Sequence, residues 1–133
     1  MRVKDLDGKV YELKLTGHIV DGSESKPRSD LHRQAREIIR EKFPLLTSLE
    51  ELPVKLYSNA TVYLDFFLPQ SKLCIEVNGR QHFEFIQHFH SNLMGFKLHQ
   101  KRDREKREWL DLNNIKLVEF NYNEDVETWK NKL

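Results

Sequence analysis

Two short segments with β-strand character follow each other closely, and each carries one acidic residue among apolar neighbours. Residues 61–68 (TVYLDFFL) contain Asp65, and residues 73–78 (LCIEVN) contain Glu76. The four residues between them, which include a proline, suit the loop of a β-hairpin. A chain with this pattern is therefore expected to place two carboxylates in the middle of a sheet.

The register of this hairpin decides how close the two carboxylates lie. If Leu68 pairs with Leu73, counting back sets Asp65 directly opposite Glu76. Like charges opposite each other in a sheet are unfavourable, and burial adds to their cost. A divalent cation would resolve the conflict, and oxygen ligands favour a hard ion, Mg²⁺ or Mn²⁺. The alternative is that both side chains face water or pair with Lys or Arg from a neighbouring helix.

Strand alternation also predicts which side chains share a face. In the first strand it groups Val62, Leu64, Phe66 and Leu68, and it puts Tyr63, Asp65 and Phe67 on the opposite face. In the second strand it groups Leu73, Ile75 and Val77 against Cys74, Glu76 and Asn78.

The rest of the chain predicts a mixed α/β (α+β) fold in which helices flank a central sheet. Asp7-Gly8 is typical of a hairpin turn, so residues 1–20 are expected to form an N-terminal hairpin. Ser29 or Asp30 can cap a first helix, which should end before Pro44. The further expected elements are a linker at 21–27, a helix over 30–42, a strand at 54–57, an irregular or partly helical crossing at 83–90, a helix over 92–112, a strand at 115–120 and a short helix at 125–131.

The chain has 133 residues, enough for one compact core, so we expect a single domain over residues 1–133. It lacks an apolar run that could span a bilayer or serve as a signal peptide, which predicts a cytoplasmic protein without a membrane partner. Cys74 is the sole cysteine, so an internal disulfide and a thiolate zinc site are excluded.

The charge is nearly balanced overall, at +1, but it is unevenly distributed. Residues 97–107 hold six Lys or Arg against two acidic residues, and residues 26–42 hold a second basic stretch. Such stretches can bind a polyanion or can simply be solvated helix faces.

Several segments in order resemble the PD-(D/E)xK nuclease core, and most closely its Vsr-like branch. That branch includes mismatch-nicking endonucleases and phage homing endonucleases with the EDxHD motif. The resemblance covers about residues 28–126 and implies a restriction-endonuclease-like core. It is carried by residues 64–69, 75–82 and 100–103, by Lys106, Leu110 and Asn114, and by residues 115–118.

This resemblance implies a metal-dependent endonuclease that hydrolyses DNA phosphodiester bonds in a phage-infected or bacterial cell. Asp65 and Glu76 would hold Mg²⁺ or Mn²⁺. In the family a lysine follows two residues after the second acid, but here Asn78 occupies that position. An amide carries no charge, so the cationic role is vacant or filled from elsewhere.

Two further residues are expected in the catalytic site. His82 lies just after the second strand and can act as a general acid or base near neutral pH. Phe96, Asp103 and Leu110 are seven residues apart and share a helix face, so Asp103 should point toward the sheet. It could complete the metal site, orient His82, or form a structural ion pair. His88, His90 and His99 are weaker candidates.

The family's acidic residue on the first helix has no clear counterpart. Asp30 and Gln34 are candidates, with Gln34 expected on the inward face, and Glu37 and His32 are further candidates. Phosphate contacts are expected from Arg80, Lys101 and Arg102. A homodimer, or fusion to a separate DNA-binding module, would supply specificity to so small a domain. The alternative functions are a non-catalytic nucleic-acid-binding domain and a protein-interaction domain.

Overall fold

The computed structural model describes residues 1–15, 19–20, 29–86, 90 and 92–133. The predicted linker at 21–27 and part of the crossing at 83–90 lie outside these residues. The elements are β1 Arg2–Lys4, β2 Val10–Glu12, β3 Ile19–Val20, α1 Asp30–Lys42, β4 Leu49–Tyr57, β5 Ala60–Leu68, β6 Leu73–Asn78, α2 Leu93–Leu112, β7 Lys116–Asn121 and α3 Val126–Asn131. Short 3₁₀ turns follow β5 at Pro69–Ser71 and β6 at Arg80–His82.

The predicted N-terminal hairpin is confirmed, but its predicted extent of residues 1–20 is wrong, because Ile19–Val20 pair with β4 in the main sheet. Strands β1 and β2 pair antiparallel around the Asp7-Gly8 turn, where Gly8 has a φ of 82°. This left-handed conformation favours glycine because a Cβ atom would be strained there. The buried carboxylate of Asp5 accepts the backbone N–H groups of Asp7 and Lys9 and so closes the turn.

The described strands β3 to β7 form a mixed sheet in sequential order. Strands β3 to β6 pair antiparallel, whereas β6 and β7 pair parallel. A parallel pair needs a long crossover, and α2 lies between β6 and β7 in the chain. The predicted mixed sheet with flanking helices is therefore confirmed.

Two hydrophobic clusters pack against the sheet. One joins Trp109 and Leu110 of α2 and Val3 of the hairpin to the sheet residues Leu64 and Cys74. The other joins α1 and α3 to the sheet, and it contains Ala35, Ile38, Ile39, Phe66, Ile75 and Trp129. The α2 side and the α1 side of the sheet are thus separate cores. No helix among the described residues is long and apolar enough to cross a membrane.

The helix bounds follow the sequence signals closely. Ser29 caps α1, since its side chain accepts the N–H of His32, and the helix ends at Lys42 with Phe43 as its C-cap, just before Pro44. Asn92 caps α2 in the same way through the N–H of Gly95. Strand β4, by contrast, begins at Leu49, five residues before its predicted start at 54.

Pro53 explains the misplaced start of β4, because a proline inside a segment argues against a central strand. Only Leu49 and Glu50 of β4 pair with the described residues of β3. Pro53 pairs with Tyr63 of β5 on the other side. The missing N–H of Pro53 therefore lies outside the pairs that the described residues of β3 form with β4.

The predicted faces of β5 are wrong beyond Leu64. Leu64 belongs to the α2-side core together with Phe67, whereas Phe66 and Leu68 belong to the α1-side core. The alternation of side chains therefore shifts by one residue at Asp65. The predicted faces of β6 hold, since Leu73 and Ile75 lie in the α1-side core and Cys74 lies in the α2-side core.

A matching shift in β4 accounts for the change of face. Leu49 and Leu52 are three residues apart, yet both lie in the α2-side core. Between them Glu51 has a φ of 51°, which is the left-handed region. The pairs on either side, Glu50 with Phe66 and Leu52 with Leu64, place Glu51 beside Asp65. Both strands are thus irregular at the level of Asp65.

Candidate active site

Strands β5 and β6 separate at Asp65 and Glu76. Their pairing runs through Leu68–Leu73, Phe67–Cys74 and Phe66–Ile75, as predicted, and the next position holds the two acids. There the carboxylates take the place of backbone acceptors: Glu76 Oε2 accepts the N–H of Asp65, and Asp65 Oδ2 accepts the N–H of Val77, each at 2.8 Å. The two side chains therefore lie together at the fork between the strands.

Negative charge at this fork is energetically unfavourable. Burial, and then the negative charge of Glu76, raises the pKa of Asp65 well above its usual range. The neighbouring thiol of Cys74 is fully buried, and burial raises its pKa as well. A cation at the fork is therefore strongly favoured.

Lys106 of α2 supplies a cation at this point. Its Nζ lies 2.5 Å from Glu76 Oε1 and donates to the carbonyl of Tyr63 at 2.9 Å. Burial alone would lower the pKa of Lys106, but the charge of Glu76 and the hydrogen bond to its carboxylate outweigh burial and raise the pKa. The ammonium group is therefore held in its charged form beside both acids.

The sequence alternative that an acid of the fork pairs with Lys or Arg from a neighbouring helix is borne out at Glu76. Lys106 carries part of the family resemblance, but it was not assigned to the site, although a signal was present. It follows Asp103 by three residues, and residues three apart on a helix share a face. Asp103 was already expected to point toward the sheet. The family motif instead has its lysine on the strand, at the position that Asn78 occupies here.

The side chain of Asn78 is engaged by β7. Its Nδ2 donates to Glu119 Oε2 and to Asn121 Oδ1, each at 3.0 Å. Glu119 in turn accepts from Arg107 Nε at 2.8 Å. Asn78 is buried at the end of β6 and ties this end to β7 and, through Glu119, to α2.

His82 and Asp103 form a hydrogen-bonded pair. The distance between His82 Nδ1 and Asp103 Oδ2 is 3.0 Å, and both side chains are partly exposed, at 30% and 27%. Burial would raise the pKa of Asp103, but the hydrogen bond from His82 outweighs it and lowers the pKa. Of the roles open to Asp103, orienting His82 is the one its contacts support.

Three cavities lie at this pair of residues. One of about 250 Å³ is lined by His82 and Asp103 together with Asn78, Phe83, Gln100, Arg104 and Arg107. A second, of about 180 Å³, adds His99 and Arg102 to the same pair. A small space of about 10 Å³ is lined by Glu76, Asp103 and Lys106 at once. Glu76 and Lys106 of the fork therefore adjoin Asp103, whereas Asp65 lines none of these three cavities.

The predicted phosphate-binding residues differ in how near they lie to this site. Arg102 lines the second cavity and Lys101 is exposed next to it on α2. Arg80 is exposed and forms an ion pair with Glu84. Arg104 and Arg107, which line the first cavity, were not singled out from the sequence.

The first helix does not present Gln34 to the sheet. Gln34 is exposed, so its predicted inward orientation is wrong; Asp30 and Glu37 are exposed too. The inward residue is His32, whose ring stacks on Phe66 with centroids 4.5 Å apart. The reason is that Ala35, Ile38 and Ile39, with His32, define the buried stripe of α1.

His32 is part of a buried ion cluster on the α1 side. Its Nε2 lies 2.8 Å from Glu50 Oε1, and Arg36 donates to both oxygens of the same carboxylate. Burial would raise the pKa of Glu50, but the hydrogen bonds from His32 and Arg36 outweigh it and lower the pKa to about 2. The buried acid beside α1 therefore comes from β4.

Asp65 and Glu76 fit a Mg²⁺ or Mn²⁺ ion in donor chemistry. Magnesium is usually held by one or two carboxylates, with water and substrate phosphate completing its coordination. Within the described residues, no group of three or more His, Cys, Asp or Glu side chains is arranged to hold a metal ion. A metal at this site would therefore depend on two carboxylates and on the substrate.

Comparison with known proteins gives one informative match. The chain is 42% identical over 77 residues to uncharacterized protein 307L of Invertebrate iridescent virus 6. The match covers 56% of this chain and 39% of the viral protein, so it spans about two fifths of that relative. Neither a family model nor a solved structure matches.

Proposed function

We propose that this chain is a metal-dependent endonuclease that hydrolyses DNA phosphodiester bonds, with a restriction-endonuclease-like core of the Vsr-like type. The observation that carries the proposal is the fork between β5 and β6. There the side chains of Asp65 and Glu76 lie together just beyond the predicted pairing of Leu68 with Leu73, and Lys106 supplies the positive charge that Asn78 does not. Two acids and one lysine are the charged groups of the PD-(D/E)xK motif, and here the lysine would come from a helix.

Asp65 and Glu76 would hold the metal ion. When bound, Mg²⁺ or Mn²⁺ would neutralise charge on the scissile phosphate and make a nearby water more acidic. Lys106 would keep its ammonium group beside Glu76, where it can also orient that water. The charge of the lysine further offsets the repulsion between the two carboxylates.

His82 would transfer the proton in this reaction. Its Nδ1 is engaged by Asp103, which leaves Nε2 for the attacking water or the leaving oxygen. A carboxylate on one ring nitrogen fixes the orientation of the imidazole. Asp103 acts through His82 and is therefore a positioning residue.

A polyanionic substrate suits the surroundings of the site. Arg102, Arg104 and Arg107 line the cavities at His82, and Lys101 lies beside them on α2. Phosphate contacts hold a nucleic acid in place without reading its sequence. The resemblance to phage enzymes and the viral relative support an activity in the cytoplasm of an infected cell. Fusion to a further DNA-binding module, or a homodimer, would supply sequence specificity.

The test is incubation of supercoiled, linear and single-stranded DNA with Mg²⁺, with Mn²⁺ or with EDTA. We expect cleavage with either metal, no cleavage in EDTA, and loss of cleavage in Asp65→Asn. Asp111→Asn is the matched control, because Asp111 is an exposed carboxylate of α2. Its activity should equal that of the wild type. Cleavage by Asp65→Asn, or an inactive wild type with every metal, would contradict the proposal.

One observation favours a second function, a non-catalytic nucleic-acid-binding domain. Glu76 is already paired with Lys106, and Asp65 already accepts a backbone N–H group. Such a site is satisfied without metal. In that case DNA would be retarded in a gel at low salt but would stay intact with every metal, and Asp65→Asn would bind as the wild type does.

A further inference from the structure

The guanidinium group of Arg107 is held by a carboxylate, yet the side chain stays half exposed. Its Nε donates to Glu119 Oε1 at 2.8 Å and its Nη2 donates to Glu119 Oε2 at 3.4 Å. The side chain of Arg107 is 49% exposed and that of Glu119 is 25% exposed. An ion pair with so much contact with water adds little to stability. The main effect of this pair is therefore to fix the direction of the guanidinium group.

Asn78 fixes the carboxylate of Glu119 in turn. Its Nδ2 donates to Glu119 Oε2 and to Asn121 Oδ1, each at 3.0 Å. Asn78 is buried at the end of β6, and its backbone is paired with Asn121 of β7. Both oxygens of Glu119 are thus engaged, and the carboxylate is kept facing Arg107.

Arg107 lies on the outer side of the charges at the fork. Lys106 and Arg107 follow each other on α2 and contact Glu76 and Glu119, which are paired positions of β6 and β7. Lys106 is 17% exposed and contacts an acid of the fork. Arg107, by contrast, lines the cavity of about 250 Å³ at His82. It therefore borders the space in which a substrate would meet this histidine.

The contacts with Glu119 leave part of the guanidinium group for another acceptor. They use Nε and Nη2, so Nη1 is not engaged by Glu119. The donors of a guanidinium lie in one plane, so fixing one edge also fixes the direction of the others. Oxygens of a phosphate suit such a fork of donors. Arg102, in comparison, contacts only its own helix through Glu105, and Lys101 and Arg104 are exposed on α2.

We propose that Glu119 and Asn78 are positioning residues that direct Arg107 toward a non-bridging oxygen of the phosphate that is cut. Arg107 would stabilise the negative charge that develops on this phosphate during hydrolysis. The inference rests on the proposed nuclease function and adds to its site one residue that contacts the substrate and two that orient it. Asn78, at the strand position of the family's lysine, would thus act through an arginine of α2.

The test measures kcat and KM for cleavage of a labelled duplex with Mg²⁺. Arg107→Lys keeps the charge but loses the planar fork, and Glu119→Gln offers one acceptor oxygen in place of two. Each should lower kcat about tenfold to a hundredfold and change KM less than about threefold. Arg107→Met should lower kcat about a hundredfold or more. Asn78→Ala should lower kcat in the same direction as Glu119→Gln; if this buried exchange prevents folding, the partly exposed Glu119 carries the test.

Double variants show whether the positioning residues act through Arg107. Once Arg107 is changed to Met, adding Glu119→Gln should slow cleavage no further. Glu119→Gln also removes a negative charge near a polyanion, so charge alone would tighten DNA binding and speed cleavage at low DNA concentration. Glu108→Gln is the matched control, because Glu108 is an exposed acid of α2 and the charge change is the same. It should cut as the wild type does.

Binding and stability measurements separate positioning from a purely structural role. Fluorescence anisotropy in EDTA should show that Glu119→Gln binds the uncut duplex as tightly as the wild type or more tightly. Its melting temperature in EDTA should stay close to that of the wild type, because the ion pair is partly exposed. A structural role would instead lower the melting temperature and weaken binding together with cleavage.

The outcomes distinguish this inference from the function on which it rests. If the wild type cuts DNA and Glu119→Gln retains its kcat, the positioning role is wrong and the nuclease stands. The same conclusion follows if Glu119→Gln slows Arg107→Met as much as it slows the wild type. If the wild type cuts no DNA with any metal, the proposed function fails and this inference fails with it.

Discussion

Replacing Lys106 with methionine removes the ammonium group that contacts Glu76 and keeps most of the side-chain volume. The side chains of Lys106 and Glu76 are 17% and 9% exposed, so their charges are only weakly screened by water. Breaking a buried ion pair by removing one partner typically costs about 3–5 kcal/mol. We expect Lys106→Met to lower the free energy of unfolding by about 3 kcal/mol at pH 8. This is the low end of the range, because Lys106 retains some contact with solvent.

The loss should depend on pH in a definite direction. The pKa of Asp65 is already raised, and without Lys106 the pair of carboxylates should bind a proton still more tightly. A group whose pKa is raised by folding stabilises the protein below its unfolded value and loses this contribution as the pH rises through the folded value. The effect of Lys106→Met should therefore be smallest near pH 4 to 5, about the unfolded pKa of a carboxyl group, and largest at pH 8.

Urea unfolding at pH 5 and at pH 8 measures this difference, and the buried Trp109 and Trp129 report it by fluorescence. Lys101→Met is the matched control, since Lys101 is exposed on the same helix. The double variant Asp65→Asn/Lys106→Met should recover part of the loss, because a single carboxylate then remains at the fork. Asp65→Asn alone should be neutral or stabilising by up to about 1 kcal/mol without metal.

An equal loss at both pH values would show that Lys106 acts through packing and not through charge. Failure of Asp65→Asn to recover any stability in the double variant would likewise refute the coupling of the three side chains. In either case the assignment of Lys106 as the cation of the site would be wrong.

Other regions give further predictions. Glu50→Gln should lower the free energy of unfolding by about 3 kcal/mol at pH 7, since the pKa of Glu50 falls from 4.5 to about 2 on folding. This stabilisation is present above pH 4.5 and is lost as the pH falls through 2. Urea unfolding should therefore show a smaller effect of the variant at pH 3 than at pH 7. His82→Ala should slow cleavage by about a hundredfold or more and leave the stabilisation by Mn²⁺ intact, and a plasmid cleavage assay that finds full activity would remove His82 from the mechanism. Changing Lys101 and Arg102 together to Ala should flatten the dependence of duplex binding on salt by about one to two units of slope, whereas an unchanged slope would place the binding face elsewhere. Gly95→Ala should lower the melting temperature, although this exchange usually stabilises a helix, because the added Cβ would overlap the backbone oxygen of His90. A higher melting temperature would contradict this close approach.

The elements themselves could be predicted from local patterns. The bounds of α1 follow from Ser29 as a cap and Pro44 as a stop, and both act within a few residues of the helix ends. The register of β5 and β6 follows from the length of the loop between them. The neighbourhood of Asp65 and Glu76 could therefore be inferred without knowledge of the tertiary structure.

Local sequence patterns could not predict which face of the sheet each side chain of β5 occupies. The shift at Asp65 goes together with Glu51, which lies on another strand and has a left-handed backbone. A period of two assumes that every residue is extended, and nothing in the sequence of β5 marks the exception. The partner strand, not the local sequence, decides which core Phe66 enters.

The cation of the site and the buried acid beside α1 were likewise decided by tertiary structure. Lys106 lies 30 residues after Glu76 in the chain, and Glu50 lies 18 residues after His32, so each pair forms only when a helix packs on the sheet. Charge and periodicity reveal that a side chain will be buried, but they do not identify the partner that makes its burial tolerable. The sequence by itself determined the two strands, the acids at their fork and the helix face that carries Asp103. Packing of α2 and α1 on opposite sides of the sheet decided which charges meet there, because a buried charge is stable only against the particular group that the fold brings within reach.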